Sequence, residues 1–279
     1  NAETIWEEAE KQGLKSAVIH YPASMPSKLK EGYVIDGDAT PEFGGSRYEI
    51  TPSETYTNIE GITGTSMVKL CKAEGWISPP QSSSIPLESN ISIIPKFKGD
   101  EKNLKILVYD SQGKGYDTIA ICEKSDFSEK IVEVKKNEWS DWVFENFVVG
   151  GENKTGTFRF KLVELSADSN KLRLYRSQVM PTTGFSDPDS IGKELIDELG
   201  PYQEHVSEFP YLLGATDLET CLEEAEYHTQ WIAKAAKYLV YNKDCSIFFC
   251  HLHYLDDINH HHLAQIDPSW PSYNEEKSK

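Results

Sequence analysis

The chain has 279 residues, 38% of them hydrophobic, and 45 acids against 28 bases leave a net charge of −17. That length suffices for a sizeable core and one or two domains, and no run approaches the roughly 20 apolar residues a membrane-spanning helix needs. So negative a charge disfavours a nucleic-acid polymer or an anionic membrane as main partner, whereas a bound cation reverses the local field and still admits a small phosphorylated substrate.

Residues 3–12 read as a helix with Ile5, Trp6 and Ala9 on one face and Gly13 as its stop. Residues 14–21 read as a strand that Pro22 and Pro26 end, and residues 32–37 as a second short strand. After about residue 40 the pattern changes. Gly44-Gly45, Pro79-Pro80 and the serines 82–84 punctuate loops, and residues 88–177 show short strands separated by turn signals. Residues 104–110 and 116–122 flank a Gly-rich loop and predict a hairpin. In 155–162, Phe158, Phe160 and Leu162 alternate with Thr157, Arg159 and Lys161, which predicts one buried and one wet face. Helices return after Pro188. One is expected over 191–199 with Ser190 as its cap, and a long one over 217–241 with Asp217 as its cap. The stripe Leu218, Leu222, Ala225, Ile232, Ala235, Ala236 and Leu239 gives the long helix its inner face.

The stretch from Cys245 to His260 carries the chemistry. Its apolar run, Ile247, Phe248, Phe249, Leu252, Tyr254 and Leu255, predicts a strand buried on both faces. It then switches to Asp256, Asp257, His260, His261 and His262, where a ligand is expected beyond the carboxyl end of a parallel strand. A carboxylate and an imidazole four residues apart can close on one divalent metal. The five cysteines, 71, 122, 221, 245 and 250, are odd in number and scattered, so they read as free thiols of a reducing compartment.

Three segments together resemble the type I phosphodiesterase/nucleotide pyrophosphatase family of the alkaline phosphatase superfamily. They are Trp6 through Pro26, the turn Gly32-Tyr33-Val34-Ile35-Asp36-Gly37, and Tyr254-Leu255-Asp256-Asp257-Ile258-Asn259-His260. The resemblance implies an α/β fold: a partial alkaline-phosphatase-like core built from 1–44 and 186–279, with a large antiparallel β cap domain inserted at 45–185. It implies a hydrolase of phosphoesters or phosphodiesters with two metals, usually zinc, clamping the attacking and leaving oxygens. The family's D-x-x-x-H metal segment falls on Asp256 and His260; Asp257 with His261 has the same spacing, but the first pair leaves apolar Ile258 between the ligands. Manganese or iron suits the same donors. The family's Thr or Ser nucleophile precedes the helix expected here at residue 3, and its remaining Asp-His ligands follow the α/β return. The chain, which opens Asn1-Ala2, is therefore expected to be an internal fragment, inert by itself.

Other residues read more plainly. His251 and His253 are expected as core or cleft wall, and Trp76, Trp139 and Trp142 as aromatic core rather than a sugar- or base-stacking face. Arg47, Arg159, Arg173 and Arg176 are expected on strand surfaces, and Ser24 and Ser46 in loops. The alternative to a hydrolase is a non-catalytic carbohydrate- or protein-binding β module on an α/β support.

Overall fold

A computed structural model describes residues 3–37, 48–204 and 208–276, and within these not the side chains of Asp257, Ile258 and His261. The chain is a mixed α/β protein with several sheets. It opens with helix α1 (Ile5–Lys11), where Thr4 and Glu7 close a capping box. Trp6 and Ala9 are buried, but Ile5 points outward, because the sheet meets α1 along the Trp6 side only. Gly13, at φ +77°, provides the stop. Strands β1 (Ser16–Ile19) and β2 (Tyr33–Ile35) follow, both shorter than expected.

The middle of the chain forms three sheets. β3 (Glu54–Thr57) and β4 (Thr65–Met67) lead into β5 (Cys71–Lys72), β6 (Leu87–Ile93), β7 (Lys102–Tyr109), β8 (Thr118–Cys122) and β9 (Val132–Lys135). The last five make one antiparallel sheet, with β7 and β8 as the expected hairpin. Then come β10 (Val143–Val149), β11 (Glu152–Phe158), β12 (Phe160–Leu165), β13 (Leu172–Arg176) and β14 (Met180–Pro181). Residues 155–162 are not one strand: β11 pairs with β10 and β14, β12 pairs with β13, and the chain changes sheet at Arg159. Nor is there a wet face. Thr157 and Lys161 are as buried as Phe158 and Phe160, because Met180 and the long helix described next cover them.

Finally β15 (Ser186–Asp187), α2 (Asp189–Leu199), α3 (Phe209–Leu212), α4 (Leu218–Asn242), β16 (Ile247–Cys250) and α5 (Tyr254–Ile266) complete the chain. α2 starts before Ser190, with Pro188 at its cap and no side-chain cap bond. α4 starts where expected, Asp217 accepting the Thr220 backbone N–H at 2.9 Å. These return elements rejoin the opening strands in a four-stranded sheet of order β15-β2-β1-β16, in which β1 runs parallel to both β2 and β16. α4 packs on β1 and β16. β16 is an edge strand, so its residues are only half-buried, not enclosed on both faces. It also ends at Cys250. Tyr254 already begins a helix, so Asp256 and His260 lie on a helix rather than in a loop.

One buried cluster draws on residues 50–179, including Ile106, Ile121, Phe158 and Leu174. A second joins Ala17, Ile19 and Ile35 to Phe185, Leu195, Trp231 and Leu239. Burying each such aliphatic side chain contributes about 1.5–3 kcal/mol. No described helix is long and apolar enough to cross a membrane, and all five cysteines are free thiols.

Packing is tight at Gly156 of β11. An added Cβ would lie 2.6 Å from Val179 Cγ1 and 2.9 Å from both Ile50 Cδ1 and Phe147 Cε2. Gly156→Ala is expected to cost about 1–3 kcal/mol by overpacking. A urea midpoint that stays put would show instead that those three side chains yield freely.

Candidate functional site

The parallel strands set the site. Ile19 pairs with both Ile35 and Cys250, so the residues after them, His20, Asp36 and His251, leave the sheet level with one another. That is the carboxyl edge, where open α/β sheets bind ligands. His20 and Asp36 both adopt left-handed backbone, φ +51° and +48°. Such residues cost about 1 kcal/mol or more each and gather at functional sites, where surrounding structure imposes them. Here the ladder imposes them: His20 N–H donates to the Ile35 carbonyl at 2.8 Å, and Asp36 N–H to Phe185 at 2.7 Å.

The side chains converge. His20 Nδ1 lies 3.1 Å from Asp36 Oδ2, and the Tyr202 hydroxyl donates to the same oxygen at 2.7 Å. Burial, reinforced by the Asp36 charge, pushes the Tyr202 hydroxyl well above its ordinary pKa, so it stays a donor. The Asp36 carboxylate is fully buried, and its Oδ1 has no hydrogen-bond partner among the described residues. A Glu204 oxygen joins: one ligand atom from each of His20, Asp36 and Glu204 lies within 4.8 Å of the others, and all three residues are buried.

Two further imidazoles wall this cluster. His228, from the buried face of α4, packs edge to face on His20 at 5.3 Å between ring centres. Its Nδ1 donates to the Gln203 carbonyl at 2.7 Å. Burial, with a smaller push from His20, lowers its pKa to about 4, so the ring is neutral at pH 7. His251 stacks on His20 at 6.1 Å, and His253 follows at 5.2 Å from His251.

Residues 201–204, just past α2, are buried although mostly polar, and hydrogen bonds hold them there. Gln203 Nε2 donates to Glu224 Oε1 at 2.8 Å, and the Tyr175 hydroxyl donates to Glu224 Oε2 at 2.7 Å. Glu204 N–H donates to Gln178 Oε1 at 3.2 Å, and Gln178 Nε2 donates to Glu49 Oε2 at 2.6 Å. Tyr175, Gln178 and Glu49 come from the β-rich part, so the two halves of the chain meet behind Glu204.

The expected ligands Asp256 and His260 do come together. Asp256 Oδ2 is 3.4 Å from His260 Nε2 on one face of α5, both exposed. Asp256 also acts electrostatically on His251, opposing the burial that lowers that imidazole's pKa. The alternative pair, Asp257 and His261, lies outside the described side chains, and Arg47 and Ser46 lie outside the described residues.

The remaining expectations divide. The Ser24 hydroxyl donates to the Tyr21 carbonyl as a loop residue does. Arg176 is not on a surface: it is 2% exposed and donates to the Ser177 and Pro52 carbonyls. Arg173 pairs with Glu164 and reaches the Gly214 carbonyl. Arg159 lies 3.9 Å from the Trp139 ring centre and 4.9 Å from those of Trp142 and Tyr227, so the guanidinium occupies faces a sugar would need. Trp76 stands apart, bonded to Glu88.

His20, Asp36, Tyr202, Glu204 and His228 were not expected from sequence. A usable signal existed for two of them: each follows the last apolar residue of a short strand. Comparison with models of protein families, with curated proteins and with solved structures returns no match.

Proposed function

We propose that this chain belongs to a metal-dependent hydrolase of phosphoesters or phosphodiesters, with an alkaline-phosphatase-like α/β core and residues 45–185 as an inserted β domain. The observation that carries the reading is the 3.4 Å approach of Asp256 and His260 one helical turn beyond the carboxyl edge of a parallel sheet. A carboxylate oxygen and an imidazole nitrogen at that separation are ready to share zinc, manganese or iron. The ion would polarise a phosphoryl oxygen and offset its charge in a strongly acidic protein. The chain's own contribution is to orient: helix α5 fixes the spacing of the two ligands.

The test uses zinc and orthovanadate, a phosphoryl mimic. The protein is expected to retain vanadate only when loaded with zinc. Asp256→Ala and His260→Ala are each expected to remove one zinc equivalent in equilibrium dialysis, and the vanadate with it. Zinc and vanadate retention equal to the parent in both variants would sink this reading and favour the binding-module alternative.

A further inference from the structure

We infer that His20, Asp36 and Glu204 form a second, buried binding site for a divalent transition-metal ion, separate from Asp256 and His260. Each ingredient is present. The three candidate donor atoms lie within 4.8 Å of one another, a spacing one ion can bridge after small side-chain adjustments. Glu204 and Asp36 are carboxylates 4% and 1% exposed, and the Asp36 side chain is fully buried, a setting in which a carboxylate is expected to be paired or to coordinate metal. Among the described residues, the side chains that hydrogen-bond the Asp36 carboxylate are His20 and Tyr202, and neither is a lysine or arginine. Asp36 Oδ1 stands without a hydrogen-bond partner among the described residues, and a buried polar atom left so costs about 1–3 kcal/mol. An ion bound there would satisfy it.

The surroundings fit a metal rather than a proton alone. Ligating groups are usually oriented by outer hydrogen bonds. Asp36 has one from the Tyr202 hydroxyl, and Glu204 is held through its own backbone by Gln178. The Tyr202 ring is itself fixed, stacked on Phe185 at 5.2 Å and tilted against Trp231 at 4.6 Å. His20 is held by the left-handed turn that ends β1 and by the rings of His228 and His251.

The donor set names the class of ion. One imidazole with two carboxylates suits zinc, cobalt, manganese or iron, whereas calcium and magnesium prefer oxygen alone. The site does not rest on the hydrolase reading, since none of its residues belongs to the D-x-x-x-H segment.

The experiment uses the full chain, stripped with a chelator, and Co2+, Zn2+ and Ca2+ as probes. Binding is read by equilibrium dialysis and by the visible absorption of cobalt. The parent is expected to hold a tight cobalt ion, additional to any at Asp256 and His260, that persists in the double variant Asp256→Ala/His260→Ala. Asp36→Asn and Glu204→Gln, near-isosteric changes, are expected to abolish it while near-ultraviolet circular dichroism stays unchanged. Tyr202→Phe is expected to weaken it by about 10–100-fold, the usual effect of removing an outer partner. Should Asp36→Asn fail to fold, Glu204→Gln and Tyr202→Phe still decide. Unchanged cobalt binding in Glu204→Gln, a parent with no tight ion, calcium bound as tightly as cobalt, or loss of the ion in the Asp256→Ala/His260→Ala double variant would each overturn the inference. That last outcome would leave the hydrolase reading standing, whereas persistence of a single ion with vanadate retention unaltered would remove the hydrolase reading alone.

Discussion

Glu223→Ala is expected to destabilise the fold by about 3 kcal/mol, while Lys161→Met costs little, although the two changes break the same ion pair. The asymmetry comes from burial. The Lys161 side chain is 2% exposed on β12, whereas Glu223 on α4 is 36% exposed. Lys161 donates to Glu223, and Trp139 Nε1 donates to the same oxygen at 2.6 Å. Removing the carboxylate leaves an ammonium inside the protein with its chief counter-charge gone and strands an indole N–H. Removing the ammonium leaves a carboxylate that water can reach. Methionine, close to lysine in volume, fills the space against Trp139. Urea unfolding of the two variants decides. Equal midpoints would mean that Lys161 finds water or another anion when Glu223 goes.

This contact also shows where reading the sequence stops working. Alternation in 155–162 was legible, and it correctly placed Phe158, Phe160 and Leu162 inside. It implied water on the other face because polar residues stand there. What alternation does not contain is α4, sixty residues later in the chain, arriving to cover that face. Arg176 fails for the same reason: a charged residue in a strand reads as surface until Pro52 and Ser177 are seen to supply its acceptors. In α4 itself only part of the predicted apolar stripe is the inner face: Ala225, Ile232, Ala235 and Leu239 are buried, whereas Leu218 and Leu222, in its first two turns, are exposed, and counting only apolar residues passed over Glu224 and His228. Those two stand four residues apart, in line with Thr220 and Ile232, and all four are buried.

The site was less legible than the fold. Short apolar runs announced β1 and β2, but drawing them as 14–21 and 32–37 enclosed His20 and Asp36 within strands and hid that each begins a turn. Their alignment depends on Ile19 pairing with Ile35 and with Cys250, and the second of these partners is more than two hundred residues away. No local pattern records such a register. The approach of Asp256 to His260 was legible because their spacing is local, four residues on one helix. Glu204 was hidden by its setting, an irregular segment after the Gly200-Pro201 stop, where polar residues ordinarily face water.

Glu224 couples this site to pH, and its variants carry the second large effect. Glu224→Ala is expected to cost about 4 kcal/mol, since it strands two buried donors, the Tyr175 hydroxyl and Gln203 Nε2, at about 1–3 kcal/mol each, and leaves a small cavity besides. Glu224→Gln should be close to neutral at low pH. Its amide oxygen still accepts from Gln203, and its amide N–H can donate to Tyr175. Burial raises the Glu224 pKa above the ordinary 4.5, against the opposing pull of Tyr175, Arg159, Gln203 and Lys161. A raised folded pKa means that the folded protein holds this proton more tightly than the unfolded chain does. The stability it contributes is complete below about 4.5 and is lost as pH rises through the folded value. Glutamine has no such proton. The parent should therefore fall behind Glu224→Gln as pH rises above about 4.5, in urea midpoints measured side by side. Parallel curves would mean that Arg159 and Lys161 neutralise the buried carboxylate fully. In that case Gln203, and with it the carbonyl that orients His228, is held in place by a charged glutamate across the whole range.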